Sequence, residues 1–114
     1  MCVTIYHNPR CSKSRATMAL LEERNVNPDI IEYLKNPPSE AELDHILTML
    51  GKEPEELMRK GETEYGKFIR GRNLSRAEQI RLMVEHPILI ERPIVVKGDK
   101  ATVGRPPESV LDIL

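Results

Sequence analysis

A cysteine placed directly before a helix is the first feature of this sequence that could do chemistry. Cys11 follows the turn signal Asn8-Pro9 and precedes a segment with helical spacing that begins at Ser12. The first turn of a helix has unpaired N–H groups and about half a positive charge, and both stabilise a thiolate. Arg10 and Lys13 add cationic character on either side. The sequence therefore predicts a reactive thiolate at Cys11, in an exposed and cationic setting.

The residue three positions after this cysteine is Ser14, so the motif is C-x-x-S. Proteins that cycle alone between a dithiol and a disulfide carry a second cysteine there. Cys2 lies beyond a predicted strand that spans roughly 16 Å, whereas disulfide-bonded Cα atoms lie within about 7 Å. We therefore expect the thiol that resolves an oxidised or modified Cys11 to come from another molecule, such as glutathione.

Several other kinds of site lack their motifs. A phosphatase-type C-x5-R loop would need arginine at position 17, where the chain has Thr17. The sequence has no Walker loop, no dinucleotide-binding glycine turn and no H-E-x-x-H. Metal ligands are scattered, and no C-x2-C pair exists. We expect neither a metal nor a bound cofactor.

The segments around Cys11 predict a β-α-β unit. Residues 3–7 alternate and are rich in β-branched side chains, which favours a strand. A helix is predicted from Ser12 to Arg24, a stop at Asn25, and a second strand from Asp29 to Leu34. The two strands should be parallel with a right-handed crossover. The apolar stripe of the helix is assigned to Ala16, Ala19 and Leu20.

The middle of the chain, about residues 37–87, predicts an all-helical block. Pro54 can open a short helix that runs through Arg59. Residues 61–73 combine glycines with mixed charge and indicate irregular helix and loop. Two capping boxes indicate helix starts, Ser39 with Glu42 and Ser75 with Glu78.

The end of the chain predicts β structure again. Residues 94–96 form a strand, Gly98-Asp99 a two-residue hairpin loop, and residues 100–103 the returning strand. Pro106 or Pro107 then opens a last helix. The element order is that of an α/β thioredoxin-like three-layer fold with a small mixed sheet. We expect a single domain over residues 1–114, with the helical insertion between its β-α-β and β-β-α halves.

Composition limits the function classes. The chain has 114 residues, 39% of them hydrophobic, with no Trp and one Phe, which predicts one modest aliphatic core. A net charge of -1 gives no field that would attract nucleic acid or a membrane surface. Residues 1–20 have no apolar signal region, and no segment has the length and apolarity of a membrane span. We expect a cytoplasmic protein with reduced thiols.

Three segments together resemble the ArsC family of glutaredoxin-coupled arsenate reductases, which have a thioredoxin-like fold. They are I-Y-H-N-P-R-C-S-K-S-R from Ile5, H-P-I-L-I-E-R-P-I-V-V from His86 and G-R-P-P-E from Gly104. The similarity extends over essentially the whole chain. One departure is the loop Cys11-Ser12-Lys13-Ser14, where the commoner arsenate-reductase loop reads C-G-T-S.

The resemblance implies roles for individual residues. Cys11 matches the family's nucleophile, and His7 matches a histidine associated with activating that thiol. Pro93 resembles the cis-proline of thioredoxin folds. Ser12 and Ser14 are candidates for supporting the helix terminus. Three arginines that would surround a bound oxyanion match Arg59, Arg92 and Arg105.

The chemistry of these residue types agrees with the implied roles. A thiolate that approaches a tetrahedral oxyanion meets repulsion between like charges. Guanidinium groups can neutralise the oxygens and hold them through paired hydrogen bonds, which an ammonium group cannot do. Arg92 and Arg105 both precede proline, which restricts them to extended backbone.

The resemblance implies reduction of arsenate to arsenite through a Cys11 adduct, with glutathione as reductant and glutaredoxin as partner. Two alternatives stay open. A thiol-transfer enzyme acting on glutathionylated proteins would need Cys11 but would tolerate loss of the three arginines. A regulator of the Spx type would bind RNA polymerase, although such regulators usually carry C-x-x-C.

Overall fold

The computed structural model describes residues 2–114. Its contacts divide the chain into two compact units. One unit combines the chain up to Asn36 with Arg92–Leu114, and the other is Pro37–Glu91. The second unit contains the predicted helical block, and the single-domain organisation stays a prediction.

A four-stranded mixed sheet forms the first unit. Its strands are β1 Val3–His7, β2 Asp29–Glu32, β3 Ile94–Lys97 and β4 Lys100–Val103. Their order is β2-β1-β3-β4, with β1 parallel to β2 and antiparallel to β3, and β3 antiparallel to β4. The predicted α/β class with a small mixed sheet is confirmed.

Strand β2 is shorter than predicted. It ends at Glu32 because the N–H groups of Lys35 and Asn36 both donate to the Glu32 carbonyl at 2.9 Å, which turns the chain. The two-residue loop between β3 and β4 is confirmed, since Lys97 pairs directly with Lys100 and Gly98 has φ +61°.

Helix α1 spans Ser12–Glu23 and ends close to the predicted stop, where Asn25 adopts φ +58°. The prediction of its buried face was wrong. Ala16 and Ala19 are exposed, and the face that packs inward carries Ser14, Thr17 and Leu21. Two of these side chains are polar but hydrogen-bonded, so their burial costs little. The spacing of apolar residues therefore predicted the wrong side of the helix as the buried one.

The core of the first unit lies between the sheet and two helices. Val3, Ile5 and Val95 project from the strands and pack with Leu21 of α1 and Val110. Val110 belongs to a 3₁₀ helix, Pro107–Ile113, where a last helix was predicted. These contacts pack α1 and the 3₁₀ helix against the sheet.

The second unit is helical. Met58, predicted to lie in a short helix, instead forms an isolated antiparallel bridge with Ile90. The Arg59 N–H donates to the Leu89 carbonyl at 2.7 Å beside that bridge, which requires extended backbone. The helices are α2 Glu40–Leu50, α3 Thr63–Phe68 and α4 Arg76–Glu85, with 3₁₀ turns at Pro54–Leu57 and Pro87–Leu89. Both predicted capping boxes are confirmed, at Ser39 with Glu42 and at Ser75 with Glu78.

No helix within residues 2–114 combines the length and apolarity that crossing a membrane requires.

The capping box of α2 gives a prediction about stability. Ser39→Ala removes the acceptor for the Glu42 N–H, at 3.1 Å, and should lower the free energy of unfolding by about 0.5–2 kcal/mol. Thr48→Ala is the matched control, because this exposed hydroxyl lies in the same helix and bonds only the Asp44 carbonyl. Urea unfolding should find the control within about 0.5 kcal/mol of wild type. Equal losses in both variants would contradict the capping role.

Candidate active site

The turn that ends β1 places Cys11 at the N-cap of α1. The Cys11 N–H donates to the Asn8 carbonyl at 3.0 Å, and the Arg10 N–H donates to Asn8 Oδ1 at 3.0 Å. Cys11 has extended backbone, φ −94° and ψ 125°, while its carbonyl already accepts the Arg15 N–H at 3.0 Å. The first turn of α1 has no acidic residue. The helix terminus therefore presents its positive end to the thiol without a competing carboxylate.

The setting of the thiol differs from the predicted one. Cys11 is 8% exposed, so the expectation of an exposed cysteine was wrong. Arg10 and Lys13, its neighbours in sequence, are exposed to solvent. The cation that contacts the sulfur comes from 94 residues along the chain, where Arg105 Nη2 donates to Cys11 Sγ at 3.9 Å. The buried sulfur is accordingly next to a positive charge and not confined to aliphatic packing.

Arg105 is held from two sides. Its Nε donates to the Arg92 carbonyl at 2.9 Å, while Nη2 reaches the sulfur. This arrangement places the Arg92 backbone against Arg105, and Nε and Nη1 of the Arg92 side chain are buried. The Arg105 guanidinium next to the thiol is a suitable partner for an anion.

Both arginines precede cis peptide bonds, at Arg92–Pro93 and Arg105–Pro106. The first lies at the position that resembles the thioredoxin cis-proline, and the second was not predicted. The carbonyl of Pro93 accepts the Gly104 N–H at 2.9 Å, which ties the entry of β3 to the end of β4.

Ser14 ties the end of β1 to the start of α1. Its Oγ lies 2.6 Å from His7 Nδ1 and accepts the Asn8 N–H at 3.0 Å. Ser14 is fully buried, whereas Ser12 is exposed as the first residue of the helix. Of the two serines, only Ser14 has the contacts needed to fix the loop that carries Cys11.

His7 lies in a partly buried place. Burial lowers the pKa of His7 because it disfavours the charged imidazolium, and the Arg15 charge adds to this while Glu32 opposes it. A neutral His7 at pH 7 can form a hydrogen bond with Ser14, but it does not place a full positive charge near the thiol. The activating role implied by the resemblance stays a prediction, and the side chain that His7 contacts is Ser14.

Arg59, the remaining predicted arginine, belongs to the unit Pro37–Glu91. Its Nη1 forms an ion pair with Glu62 Oε1 at 2.7 Å, and both side chains are a quarter exposed. The contacts described for Arg59 lie within that unit, so its part in an anion site stays a prediction.

Two features of the site were missed by sequence reasoning. Thr17 is fully buried in α1, and Gly104 packs against both Thr17 and Pro93. The sequence indicates Thr17 only as the position where a phosphatase loop would have its arginine. Within residues 2–114, no group of three or more His, Cys, Asp or Glu side chains could hold a metal ion.

Comparisons with known proteins agree with the fold and the motif positions. Residues 6–113 match the model of the ArsC family. An arsenate reductase of Haemophilus influenzae is 49% identical to this chain over 116 residues, with both chains covered completely (100%). The uncharacterized protein YfgD of Escherichia coli strain K12 is 48% identical, over 98% of this chain and 96% of its own. The structure of an arsenate reductase from Vibrio cholerae has a TM-score of 0.95 and 49% identity, covering 100% of this chain and 98% of that one.

The lowered pKa of His7 gives a prediction about pH. Titration followed by NMR should place the His7 midpoint below the ordinary value of about 6.5. The unfolded chain then binds more protons than the folded one as the pH falls below about 6.5, so stability falls there and not at higher pH. His7→Asn should lose less stability than wild type between about pH 7.5 and 5.5. A midpoint above the ordinary value would contradict the assignment.

The bonds of Ser14 give a second prediction. Ser14→Ala leaves the Asn8 N–H and His7 Nδ1 without this partner and should lower the free energy of unfolding by about 1–3 kcal/mol. Ser12→Ala, two residues away and exposed, is the control and should stay within about 0.5 kcal/mol of wild type. Denaturant unfolding separates the two, and equal stability of both variants would show that Ser14 does not secure the turn.

Proposed function

We propose, from the premise that this chain belongs to the ArsC family, that it reduces arsenate to arsenite with Cys11 as its nucleophile. Close relatives that carry the name arsenate reductase support this assignment. The single observation that carries it is the Arg105 guanidinium 3.9 Å from Cys11 Sγ. An enzyme that must bring sulfur onto an oxyanion needs a cation at that place.

The reaction begins with two negative partners, a thiolate and an arsenate. Two unit charges 4 Å apart repel by about 4 kcal/mol at the effective dielectric of a protein surface. Arg105 and Arg92 would offset this repulsion by binding the arsenate oxygens, and the N-terminus of α1 would stabilise the thiolate. We assign Arg59 as the third arginine from its motif position.

The proposed reaction passes through an adduct between Cys11 and arsenic. The Cys11 thiolate forms a bond to the arsenic of dihydrogen arsenate, and one arsenate hydroxyl takes the proton of the other and leaves as water. A glutathione thiolate then attacks the Cys11 sulfur. The sulfur–arsenic bond breaks with its electron pair on arsenic, which is thereby reduced from arsenic(V) to arsenic(III). Arsenite leaves, and a glutaredoxin thiolate attacks the mixed disulfide to free Cys11.

An external thiol is supported by the positions of the nearest candidates within the chain. Ser14 occupies the place of a resolving cysteine and is bound to His7 and Asn8. Cys2 is exposed and precedes β1, whereas Cys11 follows its far end. Neither side chain can supply the second sulfur, which favours an external thiol. From the family resemblance we assign this step to glutathione and a glutaredoxin, in a compartment with reduced thiols such as the cytoplasm.

A cavity beside the loop offers a place for such a thiol. It has a volume of about 200 Å³, and Asn8, Pro9 and Arg10 of the loop form one wall. Lys35 and Leu34 form part of the other. Arg10 could receive a carboxylate of glutathione and Leu34 its apolar portion, whereas Lys35 Nζ lies 3.7 Å from Oε1 of Glu32, which also lines the cavity.

The test is an arsenate reduction assay with glutathione and glutaredoxin. Cys11→Ser should abolish turnover. Arg105→Lys keeps the charge but loses the fork, so kcat/KM should fall about 10- to 150-fold, which corresponds to the loss of a charged hydrogen bond worth about 1.5–3 kcal/mol. Arg24→Lys is the control, because this exposed arginine lies at the opposite end of α1 from Cys11, and it should stay within about twofold of wild type.

The same assay separates the proposal from thiol transfer. A wild-type protein without arsenate turnover that still removes glutathione from a mixed disulfide, with equal rates in Arg105→Lys, would overturn the arsenate assignment. Arsenate turnover that survives Cys11→Ser would overturn the role of the thiol.

A further inference from the structure

Gly104, the last residue before Arg105, lies where a side chain has no room. A Cβ atom at this position would lie 2.6 Å from Thr17 Oγ1 and 2.8 Å from Pro93 Cγ. Both separations are shorter than real Cβ atoms show. The φ angle of Gly104 is not in the left-handed region, since the positive-φ glycines among the described residues are Gly51, Gly71 and Gly98. The position therefore requires glycine for space and not for backbone conformation.

The two neighbours of Gly104 are fixed. Thr17 is fully buried in α1, and its Oγ1 donates to the Lys13 carbonyl at 2.9 Å. Pro93 is a buried ring whose carbonyl accepts the Gly104 N–H at 2.9 Å. An added methyl group would have to move the chain at residue 104, because a helix and a proline ring give way less easily than the end of a strand.

The direction of Arg105 depends on this residue. The Arg105 N–H donates to the Val103 carbonyl at 2.9 Å, so Gly104 is the centre of a three-residue turn that ends β4. From this turn the Arg105 side chain reaches the Arg92 carbonyl at 2.9 Å and the Cys11 sulfur at 3.9 Å. The second contact is already long, so a small displacement of the turn would break it.

We propose that Gly104 is a positioning residue for the thiol. The missing side chain lets the end of β4 lie against Thr17 and Pro93, and this close approach sets the Arg105 guanidinium beside Cys11. An effect of Gly104 on arsenate turnover rests on the proposed function. Its effect on the contact between the Arg105 guanidinium and the Cys11 sulfur does not rest on that function, so the test uses a reaction without arsenate.

The test compares the alkylation of Cys11 by iodoacetate, an anion, with alkylation by neutral iodoacetamide. A nearby guanidinium favours the anion, so Arg105→Met should lower the ratio of the two rates about fivefold, the effect of one charge at about 4 Å in water. Gly104→Ala should lower the ratio toward the same value. Gly61→Ala is the matched control, because a Cβ there meets nothing within 4 Å and the ratio should stay at wild type. Alkylation of Cys11 is measured by peptide mass spectrometry, because the exposed Cys2 also reacts with both reagents.

A second variant separates positioning from general damage. Thr17→Ala removes the closer of the two obstructing atoms. The double variant Gly104→Ala, Thr17→Ala should therefore recover at least half of the decrease that Gly104→Ala causes in the ratio of the two alkylation rates. If Gly104→Ala does not fold, the double variant decides, with a ratio within about twofold of wild type expected. A folded Gly104→Ala with the wild-type ratio, or a folded double variant with the ratio of Arg105→Met, would overturn the proposal. Absence of arsenate turnover in the wild type would overturn the proposed function alone.

Discussion

The contact between the Arg105 guanidinium and the Cys11 sulfur is the interaction on which the rest of this account depends. It joins residues 94 positions apart, so it exists only when the ends of β1 and β4 and the start of α1 are correctly packed. The core of the first unit, with Leu21 and Val110 against the sheet, holds these elements together. Ser14 fixes the loop before the thiol. Because Gly104 has no side chain, the end of β4 can lie against Thr17 and Pro93.

The charges around the sulfur are arranged for an anion. The N-terminus of α1, without an acidic residue in its first turn, and Arg105 both favour negative charge at this place. Burial lowers the pKa of His7, so a full positive charge comes from the arginine and not from the imidazole. A guanidinium keeps its charge at every physiological pH. The cation beside the thiol is therefore a guanidinium and not an imidazolium.

Local signals in the sequence were enough to predict the strands, α1 and both capping boxes, because turns, caps and alternation act within a few residues. The inward face of α1 was not predictable in this way, since Ser14 and Thr17 are buried with polar partners. The bridge between Met58 and Ile90 depends on residues distant in sequence. Arg105 was predicted as a site residue from a family motif, and the spacing of residues in the sequence did not indicate its contact with Cys11.

The central claim is that Cys11 and Arg105 share one oxyanion site, and protection of the thiol by arsenate tests it most directly. The rate of Cys11 alkylation by iodoacetamide would be measured with increasing arsenate, and with chloride at equal ionic strength as control. The account predicts saturable slowing by arsenate in the wild type and much weaker slowing in Arg105→Met. An alkylation rate that arsenate leaves unchanged in the wild type, or slows equally in Arg105→Met, would contradict it.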